Sequence, residues 1–251
     1  HDGVLVSHSA GRHGPGDVRF FDRVARLYDH LMPPARPADL RAGLRFADRP
    51  VERVLDAAGG TGRAARALGE TDAVDLGFDA SRTAQPGRET DDAAVTVLDI
   101  SPGMLRRAAA DGLAVVRGDA RAPPIADGAV DAVVVTDALH HVPEPIAALE
   151  ALTDTVAPGG VIVIREFDPA TYRGRGLALL ERFAGMQSTF FEPETLTAHL
   201  REMGLRAYVV HPRFGYTVAA VVPRERQREN GVSRGVATDH TAQSRERNPD
   251  G

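Results

Sequence analysis

Acidic residues recur where apolar runs end. The stretch Val51 to Gly62, VERVLDAAGGTG, is a strand pattern closing on Asp56, followed by a glycine-rich turn that feeds a helical run from Arg63 to Leu68. Asp99 closes the run from Val95 to Leu98, and Asp119 follows Leu113 to Val116 within Gly118-Asp119-Ala120. A carboxylate offers several lone pairs, suited to ribose hydroxyls or to the exocyclic amine of a base such as adenine. Glycine lets the backbone come close to a ligand, and a helix start presents unpaired N–H groups. Acids and a tight turn at strand tips are how an open α/β sheet holds a nucleotide-like cofactor. A second kind of chemistry lies in Thr136-Asp137-Ala138-Leu139-His140-His141-Val142, where the apolar run Val130 to Val135 emerges. His140, His141 and Asp137, together with Tyr28 and Glu166, are the groups able to take a proton from a reacting centre. For either histidine, a helix-start or core-packing role stands beside this one.

The elements that must position these groups follow from periodicity. Phe20, Phe21, Val24, Leu27, Tyr28 and Leu31 recur at helical spacing before Pro33-Pro34, and a second helix starts near Pro37 with Leu40 and Leu44 inward. These form either a cover for a sheet edge or a lid that brings Tyr28 near the reacting centre. Residues 69–94 read as a polar excursion with Pro86-Gly87 in its middle. Asp79 in that excursion competes with Asp99 for the ribose. Val95 to Leu98 is the better strand and Met104, Leu105 and Ala108 mark the helix after it, which favours Asp99. Ile146, Leu149, Leu152 and Val156 mark a further helix, closed by Pro158-Gly159-Gly160 before the buried strand Val161 to Ile164. Leu177 to Phe183 reads as an apolar helix; Pro193 starts another, with Leu196, Leu200 and Met203 inward. The strand candidates Ala207 to His211 and Tyr216 to Val222 are spaced for a hairpin. Residues 1–18 and 223–251 read as disordered tails, 19–45 as lid helices and 46–222 as one Rossmann-like α/β domain.

Composition narrows the chemistry. The chain has 251 residues, 43% of them hydrophobic, enough for one α/β domain of ordinary core size. There is no cysteine, which excludes disulfides, thiolate zinc sites and cysteine nucleophiles. All 30 basic residues are arginine, which excludes Schiff-base and lysine-base mechanisms. A net charge of −5 without a basic run points away from nucleic acid and toward small molecules, although Arg165, Arg173 and Arg175 could contribute to a local basic face. No apolar run is long enough for a membrane span, and a soluble, cytoplasmic protein is expected. His1, His8 and His13 lack carboxylate partners at ligand spacing, so no metal site is expected.

The turn Gly60-Thr61-Gly62-Arg63-Ala64-Ala65 formally fits the dinucleotide fingerprint, which keeps an NAD(P)-dependent oxidoreductase in view. The joint pattern is more specific. VLDAAGGTG (Val54 to Gly62), LDISPGML (Leu98 to Leu105), GDA (Gly118 to Ala120), VDAVVVTDALHHV (Val130 to Val142) and APGGVIVI (Ala157 to Ile164) together resemble the class I S-adenosylmethionine (SAM)-dependent methyltransferases. Within them, FFDRVARLYDHL (Phe20 to Leu31) is similar to the leading segment of the ubiquinone/menaquinone C-methyltransferases and related small-molecule enzymes. The resemblance implies a seven-stranded, mostly parallel sheet with an antiparallel C-terminal hairpin strand. It implies that the Gly60 and Gly62 turn approaches the methionine part of SAM, with Asp56 reaching its amino group. Asp99 would take the ribose, Ile100 would pack on adenine, Asp119 beside Ala120 would hold the adenine amine, and Thr136 and Asp137 would border the methyl group. The acceptor would be a small molecule such as a quinol, phenol or amine, with Phe167, Tyr172, Phe190 and Phe191 either lining its pocket or simply core. The chain departs from the family at Ala58, where glycine is usual, and in the length of the 69–94 excursion. That departure leaves a non-catalytic scaffold as a further alternative.

Overall fold

The structure, a computed structural model, describes residues 4–5, 21, 35–69, 94–183, 188–211 and 215–224. In chain order its elements begin with β1 (Val4–Leu5), α1 (Pro37–Leu44), β2 (Arg53–Ala57), α2 (Arg63–Gly69), β3 (Ala94–Asp99), α3 (Pro102–Ala110), β4 (Ala114–Arg117) and β5 (Val130–Thr136). They continue with α4 (Pro145–Thr155), β6 (Val156–Phe167), α5 (Tyr172–Phe183), β7 (Phe190–Phe191), α6 (Pro193–Glu202), β8 (Arg206–His211) and β9 (Gly215–Val221). Val4–Leu5, within the stretch read as a tail, pairs antiparallel with β7.

Seven strands form one sheet in the order β4-β3-β2-β5-β6-β9-β8. The pairs from β4 across to β6 are parallel, and β9 runs antiparallel to both β6 and β8. The sheet is therefore the mostly parallel one with a C-terminal hairpin that the sequence implies. The apolar content of β5 shows why it lies central: successive residues point to opposite faces, and both faces are covered. Val133 and Val135 join Leu55, Ile162 and Ile164 beneath Leu149 and Leu152 of α4 and Leu196 and Leu200 of α6. Ala132 and Val134 join Val54, Val161 and Val163 beneath Leu40 and Leu44 of α1 and Ala64 and Ala67 of α2. With both faces buried, the strand ends are left for ligands, and the order reverses direction between β2 and β5, where such sheets open a crevice.

Boundaries differ from expectation in two places: the helix read from Leu177 starts at Tyr172, and the strand read from Val161 to Ile164 runs from Val156 to Phe167. Val156 opens β6 rather than closing the preceding helix, and it pairs with Val130 before the register shifts to Ala132 opposite Val161. Burial of the Val156 side chain is satisfied equally by helix or strand, so periodicity could not decide. Pro158 lacks an N–H for a regular ladder, and Gly159, at φ 81°, takes the backbone conformation that the irregularity needs. The helix read from Phe20 to Leu31, with Tyr28, lies outside the described residues except for Phe21. Residues 70–93, with Asp79, and 225–251 lie outside them as well.

Candidate active site

At the carboxyl ends of β2, β3 and β5 lies a cleft. The glycine turn forms its floor. Gly60 and Gly62 have φ of 59° and 83°, and Ala58 sits in the same left-handed region at 53°. Ala58, Gly59 and Gly60 line the cleft. Gly62 does not: a Cβ there would meet the Leu113 side chain at 2.3 Å, so its glycine serves the packing of α2 on the β3–β4 side. Asp56 also lies off the cleft, fully buried behind the turn, where its Oδ2 accepts the Ala65 N–H at 3.2 Å. Burial pushes its carboxyl up to about 7, and the Ala65 bond only partly offsets this. Its geometry is that of a brace for the turn.

Asp99 closes the next strand and lines the cleft. Its Oδ2 accepts Gly60 N–H at 2.8 Å and its Oδ1 accepts Ser101 N–H at 2.8 Å, so one carboxylate ties the turn after β2 to the start of α3. Ser101 in turn caps α3 by accepting Met104 N–H at 3.2 Å. Beside Asp99, Ile100 leaves 36% of its surface exposed on the cleft wall. Asp119 and Ala120 line the same cleft, but Asp119 is engaged by Arg121, whose Nη2 lies 2.7 Å from Oδ2. The guanidinium holds the Asp119 carboxyl below its ordinary range despite some burial. Arg121 reaches on to Glu144 at 3.1 Å.

The β5 exit supplies the rest. Thr136 lines the cleft, and its buried Oγ1 has no hydrogen-bond partner among the described residues. Asp137, at φ 51°, is buried between the guanidiniums of Arg165 and of Arg63, the latter at 3.6 Å. Burial raises the Asp137 carboxyl above its ordinary value against the pull of Arg165. The two histidines that follow part company. His141 lines the cleft, its ring edge-on to Phe21 at 5.0 Å. His140, one of the bases expected from sequence, does not line it: the ring is buried, stacked on Phe190 at 4.6 Å, with Nδ1 2.6 Å from Glu166. Burial opposes its protonation, but Glu166 and Glu181 outweigh that and raise it to about 10. The two rings lie 4.1 Å apart, His140 on the buried side and His141 on the side that faces the cleft. Glu166 serves that turn from below, accepting the N–H groups of Ala138 and Leu139 at 3.0 and 2.7 Å. Phe190 and Phe191 are core, and Tyr172 is exposed away from the cleft lining.

Arg63 and Arg121, both on the cleft wall, escaped the sequence reading. The available signal was position: Arg63 directly follows the glycine turn and Arg121 follows Gly118-Asp119-Ala120 by one residue.

The sheet order, the glycine turn and the acids at the strand tips define a class I methyltransferase fold. Residues 28–210 match the methyltransferase-domain family, and the chain belongs to that family. A demethylmenaquinone methyltransferase of Beutenbergia cavernae is 36% identical over 165 residues, 61% of this chain and 59% of that protein. One of Clavibacter sepedonicus is 33% identical over 178 residues, 65% of this chain and 64% of that protein. The match thus spans about three fifths of these relatives' length. A SAM-dependent methyltransferase from Aquifex aeolicus shares the fold at 18% identity, with a TM-score of 0.54 over 84% of this chain and 100% of that one.

Proposed function

We propose that the chain binds S-adenosylmethionine in this cleft and transfers the methyl group to a small-molecule acceptor. The tip of β3 carries the reading: a carboxylate anchored by the turn it faces, next to an exposed apolar side chain on the same wall. A carboxylate keeps lone pairs after two backbone contacts, so Asp99 can still accept ribose hydroxyls while Ile100 covers one face of a flat base. The unpartnered Thr136 hydroxyl is a further fit, because a buried polar atom without a partner calls for one from a ligand.

The bound sulfonium supplies an already activated methyl group. Ala58 and Gly60 run beside the methionine part, and Asp56 holds their turn from behind. Asp119 takes the adenine amine while sharing its charge with Arg121. Thr136 and Asp137 border the transferring methyl, and the protein's work is to align the acceptor and exclude water. Asp137 and His141 are the described proton-accepting candidates on the cleft wall; Tyr28 is a further candidate. Quinol, phenol and amine acceptors all suit this arrangement, and the names of the relatives favour a quinol ring carbon. The oxidoreductase alternative gives way to the family membership and to the antiparallel β9.

Calorimetric titration with SAM, S-adenosylhomocysteine and NADH tests the proposal. Micromolar binding of the first two and none of NADH is expected, followed by methyl transfer to a demethylated quinol. Binding of NADH alone, or silence from all three, would overturn it.

A further inference from the structure

We infer that His140, His141 and Glu181 form a site for a divalent transition metal behind the cleft wall. Nε2 of His140 lies 3.5 Å from Glu181 Oε1, and Nε2 of His141 lies 3.9 Å from the same oxygen. One ligand atom from each of the three falls within 4.8 Å of the others. Atoms that share a tetrahedral metal at about 2.0–2.2 Å stand roughly 3.5 Å apart, so the cluster needs only a small contraction to close.

The neighbours of each ligand point the same way. Glu166 occupies Nδ1 of His140 at 2.6 Å, so when a metal replaces the proton on Nε2, that nitrogen is the atom offered toward Glu181. That is the carboxylate–histidine–metal arrangement, in which an outer carboxylate fixes the ring and raises its basicity. Glu166 is itself held by two backbone N–H groups, and the second oxygen of Glu181 accepts the Ser188 hydroxyl. The backbone joins the pieces as well, since Thr189 N–H donates to the His140 carbonyl at 2.8 Å.

Charge and donor type select the occupant. Glu166 and Glu181 bring two negative charges into a largely buried cluster, which a dication neutralises and a protonated His140 only halves. Two imidazoles and one carboxylate suit zinc, cobalt or iron(II); calcium and magnesium prefer all-oxygen sets. Three protein ligands leave a coordination position for water, and His141 is the ligand that also lines the cleft. The site shares His141 with the cleft, and its test reads metal binding rather than methyl transfer. Its competitor is a metal-free cluster with His140 as an imidazolium between the two carboxylates.

Chelator-treated full-length protein titrated with Co²⁺, followed by visible d–d absorption, and with Zn²⁺, followed by calorimetry and thermal melting, distinguishes the two. A saturable micromolar site with intense absorption is expected, along with a rise in melting temperature that chelator reverses. Glu181→Gln and His141→Gln should each abolish the absorption, and Glu166→Gln should weaken binding by roughly 10–100-fold. Replacing His1, His8 and His13 with alanine should change nothing. No saturable site in the wild type, undiminished absorption in Glu181→Gln and His141→Gln, or loss of binding with the three N-terminal histidines would each overturn the proposal. Circular dichroism of the apo variants shows which are folded, and the decision is read from a folded one. Should neither ligand variant fold, the wild-type titration and the N-terminal triple variant decide.

Discussion

Single carboxylates in this protein divide between holding the cleft and facing it. Asp99 does both, because its oxygens tie Gly60 and Ser101 while it borders the cleft. Asp99→Ala should weaken SAM binding by about 1–3 kcal/mol, the loss of charge-assisted hydrogen bonds, measured by calorimetry at constant ionic strength. Asp56 only holds. Its folded-state pKa is raised from 3.8 to about 7, so its contribution to stability is fully present below 3.8 and is lost as pH rises through about 7. Asp56→Asn removes that dependence, and melts at pH 5 and pH 8 should show a smaller decline in melting temperature than the wild type over the same interval. A wild type and variant that decline in parallel would show that Asp56 is not the titrating group. Strand quality in the sequence favoured Asp99 over Asp79, and Asp99 lies on the cleft wall. The inward turn of Asp56 was not legible there, because an acid at a strand tip reads the same whether its carboxyl faces the ligand or the backbone beneath it.

At the level of elements, the turns after β2 and β5 carry the strain. Ala58, Asp137 and Glu144 are the described non-glycine residues at positive φ; Ala58 and Asp137 line the cleft and Glu144 lies at its rim through Arg121. The left-handed conformation costs an L-residue about 1–2 kcal/mol, and glycine relieves it at some cost in chain entropy. Ala58→Gly should therefore stabilise the protein by about 0.5–1 kcal/mol in urea denaturation and leave SAM affinity equal or higher. A destabilised variant would mean that the alanine methyl packs where the turn needs it. The sequence showed Ala58 as the odd residue in a glycine pattern, and the observed φ gives that oddness its physical content. It could not separate His140 from His141, because the phase of a single helical turn depends on the packing below it. It also ran the helix before β6 one residue too far, since Val156 is buried whichever element it joins.

Across the whole molecule, the two ends of the sheet do different work. The carboxyl end holds the cleft, the strained turns and the orphaned Thr136 hydroxyl. Near the amino end of β5, Asp131 is fully served: it accepts the N–H groups of Glu52 and Arg53 at 3.1 and 2.9 Å and pairs with Arg49 at 3.0 Å. Non-glycine residues in the left-handed region gather at the cleft, while the Asp131 hydrogen bonds secure the opposite end. The strands and their two buried faces were legible because valine-rich runs and helix periodicity constrain them strongly, whereas the mostly parallel sheet with its hairpin followed from the family resemblance. The arginine partners were not, since a long flexible side chain leaves no periodic trace. If the division holds, substitutions at the two ends differ in their effect on binding. Asp131→Ala should cost about 2 kcal/mol of stability, mainly from two orphaned backbone N–H groups because the arginines remain solvated, and should leave SAM affinity unchanged. Asp99→Ala, which also orphans two backbone N–H groups, should lose affinity as well as stability. Denaturation and calorimetry on the same two variants check both halves, and a loss of affinity in Asp131→Ala as large as in Asp99→Ala would show that the two ends of the sheet are energetically coupled.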